Sequence, residues 1–125
     1  IFNKIGQPHK TQKYVRQILT ELYNDTPAGL CGNEDCGQMS AWYVFSALGF
    51  YPLNPVSCEY EIGSPLFRNA KIHLENGNTF KVEAEGYSPE KYLVKEVLLN
   101  AKRLRSTNIS HEDILKGGTL TFVMQ

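Results

Sequence analysis

The sequence predicts an α+β chain, two N-terminal helices followed by a small antiparallel β-sheet or sandwich. Three observations carry that prediction. Apolar residues recur at helical spacing between residues 8 and 24, an apolar run fills residues 37–48, and from Cys58 onward the apolar period shortens to two. The helical part is expected over residues 1–55 and the β-rich part over 56–125.

In the first helix Val15, Ile18, Leu19 and Leu22 form the apolar stripe, flanked by Tyr14 and Tyr23. Pro8 and Thr11 supply start signals, and Asn24-Asp25-Thr26-Pro27 stops the helix, because proline disfavours helical geometry in the residue before it. Lysines, glutamines and Arg16 fill the other face, which reads as the solvated side of a surface helix. Gly29 and Gly32 punctuate a loop from Asp25 to Cys36. The second helix is different. Met39, Ala41, Trp42, Tyr43, Val44, Phe45, Ala47 and Leu48 leave almost no polar face, so it must be buried on all sides. One partner helix cannot cover it, which predicts neighbouring helices beyond this chain. Gly49 suits a C-cap, and Tyr51-Pro52-Leu53-Asn54-Pro55 reads as an extended connector.

In the second half, Ile72 and Leu74 lead into Asn76-Gly77, and Phe80, Val82 and Ala84 follow, the pattern of a β-hairpin. Tyr92–Leu99 reads as a strand, Asn100-Ala101 as a turn and Lys102–Ser106 as a short return. His111–Leu115 fits a single helical turn, Gly117-Gly118 a break, and Leu120, Phe122 and Met124 a last strand.

Thirteen acidic residues balance thirteen lysines and arginines, which argues against a nucleic-acid partner held by a concentrated basic face. Lys102-Arg103-Leu104-Arg105 is too short to form one. No apolar run reaches spanning length, so no membrane span is expected. The N-terminus has neither a basic region nor a long apolar core and does not read as a signal peptide; it predicts a chain entered in mid-course. Cys31, Cys36 and Cys58 fit neither a disulfide framework nor a zinc site with His9, His73 and His111. Small buried or half-buried thiols are expected, and a Cys31–Cys36 bridge stays open in an oxidising compartment.

Chemistry concentrates in Gly32-Asn33-Glu34-Asp35-Cys36-Gly37-Gln38, where two carboxylates precede the apolar helix. Asp35 fits the N-cap, with Gln38 completing a capping box. The same position also holds a carboxylate rigidly enough to take a proton from water. Inverting glycosidases need such a base and a separate acid about 6.5–9.5 Å away, and no other residue here is an obvious mate for Asp35. Cys36 and Ser40 lack a histidine partner for nucleophilic work, and the glycines fit no phosphate-binding fingerprint. Trp42 is expected in the core with an edge toward a cleft, and Tyr43, Phe45, Phe50 and Tyr51 in the core.

The stretch from Gly32 through Trp42 to Gly49-Phe50-Tyr51-Pro52 closely resembles a signature of glycoside hydrolase family 92, exo-acting α-mannosidases. Gly6-Gln7-Pro8 with Lys10-Thr11-Gln12, Gly63-Ser64-Pro65-Leu66-Phe67, His111-Glu112-Asp113-Ile114 and Gly117-Gly118-Thr119-Leu120 are similar to further family segments, in the right order. The resemblance implies the end of an (α/α)6 barrel followed by β-sandwich material. It implies calcium-assisted hydrolysis, with inversion, of terminal α-linked mannose (α-1,2) on a mannose-containing glycan. Asp35 is then the general base, Asn33 an orienter of water or substrate, and Glu34 and Gln38 substrate-binding residues. Many relatives carry aspartate at the Asn33 position, and asparagine cannot take a proton, so Asp35 acts alone. His9 stands where tryptophan is frequent, which removes one expected substrate contact. The general acid and most of the calcium ligands would lie upstream, and no metal ligand is assigned in this chain. A partner is therefore implied in the remaining portion of the same enzyme, and the chain alone would be inactive. A bacterial periplasmic, surface or secreted location follows from the same resemblance. The alternative is a non-catalytic carbohydrate-binding or structural module whose β half folds alone, and a helical interaction module stands third.

Overall fold

A computed structural model describes residues Ile1–Gln125. Its helices are α1 (Pro8–Glu21), α2 (Gln38–Leu48) and α3 (His111–Leu115). Its strands are β1 (Phe50–Asn54), β2 (Glu59–Ile62), β3 (Asn69–His73), β4 (Thr79–Glu85), β5 (Val94–Leu99), β6 (Lys102–Arg103), β7 (Asn108–Ser110) and β8 (Gly118–Met124). The α+β order expected from the sequence is the order observed.

Helix α1 starts at Pro8, where a missing N–H costs nothing. It stops at Glu21, earlier than the stop signals suggest, because Tyr23 leaves the helix to form an antiparallel bridge with Leu30. Its burial also differs from the expected amphipathic reading. Gln12, Arg16 and Leu19 are the buried residues, while Tyr14 and Leu22 remain exposed. The reason is the polar grip on the β layer. Arg16 donates from Nη1 to the Pro89 carbonyl at 3.0 Å and from Nη2 to the Pro65 carbonyl at 2.6 Å. Gln12 Oε1 accepts from the Val94 amide at 3.1 Å. Burial pushes the Arg16 pKa below its ordinary value, the expected result when a cation meets carbonyls and no carboxylate. Of the apolar stripe Leu19 is buried, Val15 and Ile18 are half-buried and Leu22 is exposed, and Val44 of α2 is 56% exposed.

The strands form two sheets. One is three-stranded and antiparallel in the order β1-β2-β7, and the other is five-stranded in the order β3-β4-β8-β5-β6. The connector around Pro52 is thus a strand. It sits at a sheet edge, with a register irregularity between Tyr51 and Asn54, as proline in a sheet requires. The larger sheet is mixed rather than purely antiparallel, since β4 and β8 run parallel from Phe80↔Gly118 to Glu85↔Val123. Both predicted turns are present. Gly77 (φ 86°) lies in a three-residue hairpin loop closed by the Leu74 amide on the Asn78 carbonyl. Asn100 and Ala101 both have positive φ and join β5 to β6.

Phe80, Leu120 and Phe122 are fully buried at the centre of the core, and Phe50 brings the α2–β1 junction onto it, edge-on to Phe80 at 6.4 Å. Serine and aspartate cap α3 reciprocally through Ser110 and Asp113. The three cysteines are free and exposed. The expectation of buried thiols fails because Cys31 and Cys36 lie in the exposed α1–α2 loop and Cys58 closes a left-handed turn.

Gly49 ties the helical layer to this core. Its φ is 94°, and a Cβ there would lie 2.8 Å from Phe122 Cζ and 3.1 Å from the Pro65 amide nitrogen. Gly6 also has positive φ (72°) but open space around it. Gly49→Ala is expected to destabilise by about 2–4 kcal/mol, backbone strain plus overpacking, and Gly6→Ala by about 1–2 kcal/mol from strain alone. Chemical unfolding of the two variants checks the difference; equal losses would contradict the packing described for Gly49.

Candidate functional site

The α1–α2 connection carries the residues singled out by the sequence, and it is built from three anchors. The first is the Tyr23–Leu30 bridge, beneath which Asn24 and Gly29 exchange a backbone hydrogen bond at 3.1 Å. Glycine is required there: a Cβ at Gly29 would lie 2.0 Å from the Asn24 carbonyl oxygen. The second is Tyr23 itself. Its hydroxyl donates to the Met39 carbonyl at 3.2 Å, and its ring lies 5.7 Å from Trp42 and 5.1 Å from Tyr43.

Glu34 is the third anchor. Its Oε1 accepts from the Met39 amide at 2.9 Å and the Ser40 amide at 3.2 Å. Its Oε2 accepts from the Ser40 amide at 3.0 Å and from the Ser40 hydroxyl. The Ser40 hydroxyl, with the amides of Ser40 and Met39, holds the Glu34 carboxyl below the usual glutamate range, against the opposing effect of desolvation.

This arrangement corrects the capping box expected from Asp35 and Gln38. Between them the backbone makes a tight 3-10 turn in which Cys36 (φ 54°) and Gly37 (φ 80°) are both left-handed. The turn makes Gly37 the N-cap of α2, with no side-chain cap bond of its own. Glu34, three residues further back, is the side chain that reaches the first free amides. Asp35 is exposed, and its carboxylate takes no part in the cap; only its backbone carbonyl is used, accepting from the Gln38 amide. Asn33 and Gln38 are also exposed. The chain thus presents Asn33, Asp35 and Gln38 on one exposed elbow and folds Glu34 back onto the helix.

Trp42 is half-buried, as expected for a core residue with an exposed edge. It lines an apolar groove of about 360 Å³ with Phe2, Tyr14, Ile18, Tyr51 and Leu53, and Asp35 lies outside that groove. A second depression of about 390 Å³ includes Tyr23, Asp25, Leu30, Ser40 and Tyr43 and flanks the elbow. No three His, Cys, Asp or Glu side chains in this chain converge as a metal-binding group. Sequence reasoning missed Tyr23 and Ser40 as site-building residues. Ser40 carries no readable signal, because its partner lies six positions earlier rather than at capping spacing.

The whole chain, residues 1–125, matches the model of the glycosyl hydrolase family 92 catalytic domain. An uncharacterized secreted glycosidase of Arthroderma benhamiae is 31% identical over 99% of this chain and 16% of its own length. Among solved structures, a family 92 α-mannosidase of Bacteroides thetaiotaomicron in complex with mannoimidazole superposes with a TM-score of 0.95 at 41% identity, over 99% of this chain and 16% of its own. A family 92 inverting mannosidase of the same organism gives 0.87 at 42%, over 94% of this chain and 16% of its own. The chain therefore spans only about one sixth of the length of these relatives.

The lowered Glu34 pKa carries a pH signature. A carboxylate with a depressed folded-state pKa stabilises the fold above its unfolded value, about 4.3, and that contribution is lost as pH falls through the folded value. Amide hydrogen exchange should therefore show Met39 and Ser40 protected at neutral pH and losing protection as pH falls through the lowered folded-state value. Glu34→Gln should flatten this acid limb. Unchanged pH dependence in the variant would contradict the capping role.

Proposed function

Because this chain belongs to glycosyl hydrolase family 92, we propose that it is the C-terminal part of an inverting exo-α-mannosidase, with Asp35 as the general base. The substrate is a glycan ending in α-linked mannose, joined through an α-1,2 linkage. The observation that carries this reading is the division of labour between neighbouring carboxylates. Glu34 is spent on the helix, whereas Asp35 is exposed on a turn fixed at both ends.

The chemistry is a single displacement. As water attacks the anomeric carbon, the Asp35 carboxylate takes its proton, and the bond from that carbon to the leaving oxygen breaks on the opposite face. An acid from the upstream portion of the enzyme protonates the leaving oxygen. Asn33 and Gln38, on the same elbow, hydrogen-bond the water or sugar hydroxyls. Calcium belongs to this reading as an ion that helps to hold the sugar; no three His, Cys, Asp or Glu side chains converge here, and most of its ligands are assigned to the upstream portion. Residues 1–55 close the helical barrel and 56–125 supply its β-rich neighbour. The exposed Val44, Tyr14 and Leu22 on the helical side support that placement, since further helices of a barrel would cover them. Secretion is supported by the secreted relative, and this reading places the enzyme in the periplasm or on a bacterial surface; no helix here is long and apolar enough to cross a membrane.

In the complete enzyme, Asp35→Asn should lower kcat on an α-mannoside by about 10²–10⁴-fold, the usual contribution of a general base, with folding and KM preserved. Wild-type turnover in that variant would exclude Asp35 as the base and leave the non-catalytic module as the better reading. The 125-residue chain on its own should show no mannoside turnover, because the acid is absent; clear activity would refute the division of catalytic groups.

A further inference from the structure

We propose that Glu34 and Ser40 form a positioning pair that aims the Asp35 carboxylate, and that Glu34 is not a substrate ligand. The inference rests on Asp35 being the base. Both Glu34 oxygens are engaged within the chain, one by the amides of Met39 and Ser40 and the other by the Ser40 amide and hydroxyl. A carboxylate so occupied has little capacity left for sugar hydroxyls.

The pair fixes the elbow from the side opposite Tyr23. The Met39 peptide is held at its N–H by Glu34 and at its carbonyl by the Tyr23 hydroxyl. The first turn of α2 is thereby joined to the end of α1 and to residue 34 at once. Only Asp35, Cys36 and Gly37 separate Glu34 from α2, and the Gln38 amide closes that turn on the Asp35 carbonyl. Two successive left-handed residues span it, one of them the non-glycine Cys36, a conformation that persists only when its surroundings impose it. Released from Glu34, the turn would relax and swing the adjacent Asp35 side chain. A displacement of about 1 Å can cost about 10²-fold in rate.

The test uses the complete enzyme, with Glu34→Ala, Glu34→Gln and Ser40→Ala assayed on an aryl α-mannoside well below their melting temperatures, and mannoimidazole as the binding probe. The positioning role predicts kcat down about 100-fold in Glu34→Ala and about tenfold in Glu34→Gln and Ser40→Ala. KM and mannoimidazole affinity should stay within about threefold. A raised KM with weakened mannoimidazole binding and little change in kcat would make Glu34 a substrate ligand and overturn the proposal. Lowered melting temperature with unchanged kcat and KM would reduce the pair to a helix cap and overturn it equally. Loss of the base assignment itself is seen separately, as full turnover in Asp35→Asn.

Discussion

An α-helix begins with amides that have no partner inside the helix, and at the start of α2 those of Met39 and Ser40 are met by the Glu34 carboxylate. The placement of the elbow depends on this grip. Because a residue ahead of the tight turn supplies the cap, the turn can project its own carboxylate outward. Had Asp35 filled the cap, its oxygens would be committed to backbone amides, with a depressed basicity and no room for water. Two adjacent acids with opposite fates, one inward and one outward, are what the fold provides for chemistry.

The elbow is held by a frame that reaches into the β layer. Tyr23 links α1 to the first turn of α2, Arg16 pins α1 to the carbonyls of two loops and Gln12 to the first amide of β5, and Gly49 seats the end of α2 against Phe122. The β core built on Phe80, Leu120 and Phe122 thus anchors the two helices that carry the elbow. On the helical side Val44, Tyr14 and Leu22 stay exposed.

Much of this was legible in the residues, and the failures have physical causes. Helix α2, its glycine stop, the Asn76-Gly77 and Asn100-Ala101 turns and the single-turn α3 follow from local preferences that tertiary structure leaves intact. The parallel β4–β8 pairing does not, because register between segments far apart in sequence is set by packing and leaves no local mark. β1 was hidden by Pro52, which is tolerated there only because the strand lies at an edge. In α1 the polar residues Gln12 and Arg16 are buried through specific carbonyl and amide partners, which an apolar-periodicity reading cannot anticipate. At the site, the sequence singles out the segment from Gly32 to Gln38, whereas the exchange of capping from Asp35 to Glu34 leaves no mark in it. It turns on Cys36 adopting a left-handed conformation, for which cysteine carries no propensity signal.

The most direct test of the outward carboxylate is a crystal structure of the complete enzyme holding mannoimidazole. The predicted result is Glu34 on the amides of Met39 and Ser40, and an Asp35 oxygen about 2.6–3.2 Å from a water placed below the ring carbon that mimics the anomeric centre. An Asp35 carboxylate folded onto the α2 amides, with Glu34 turned toward the sugar, would contradict the account.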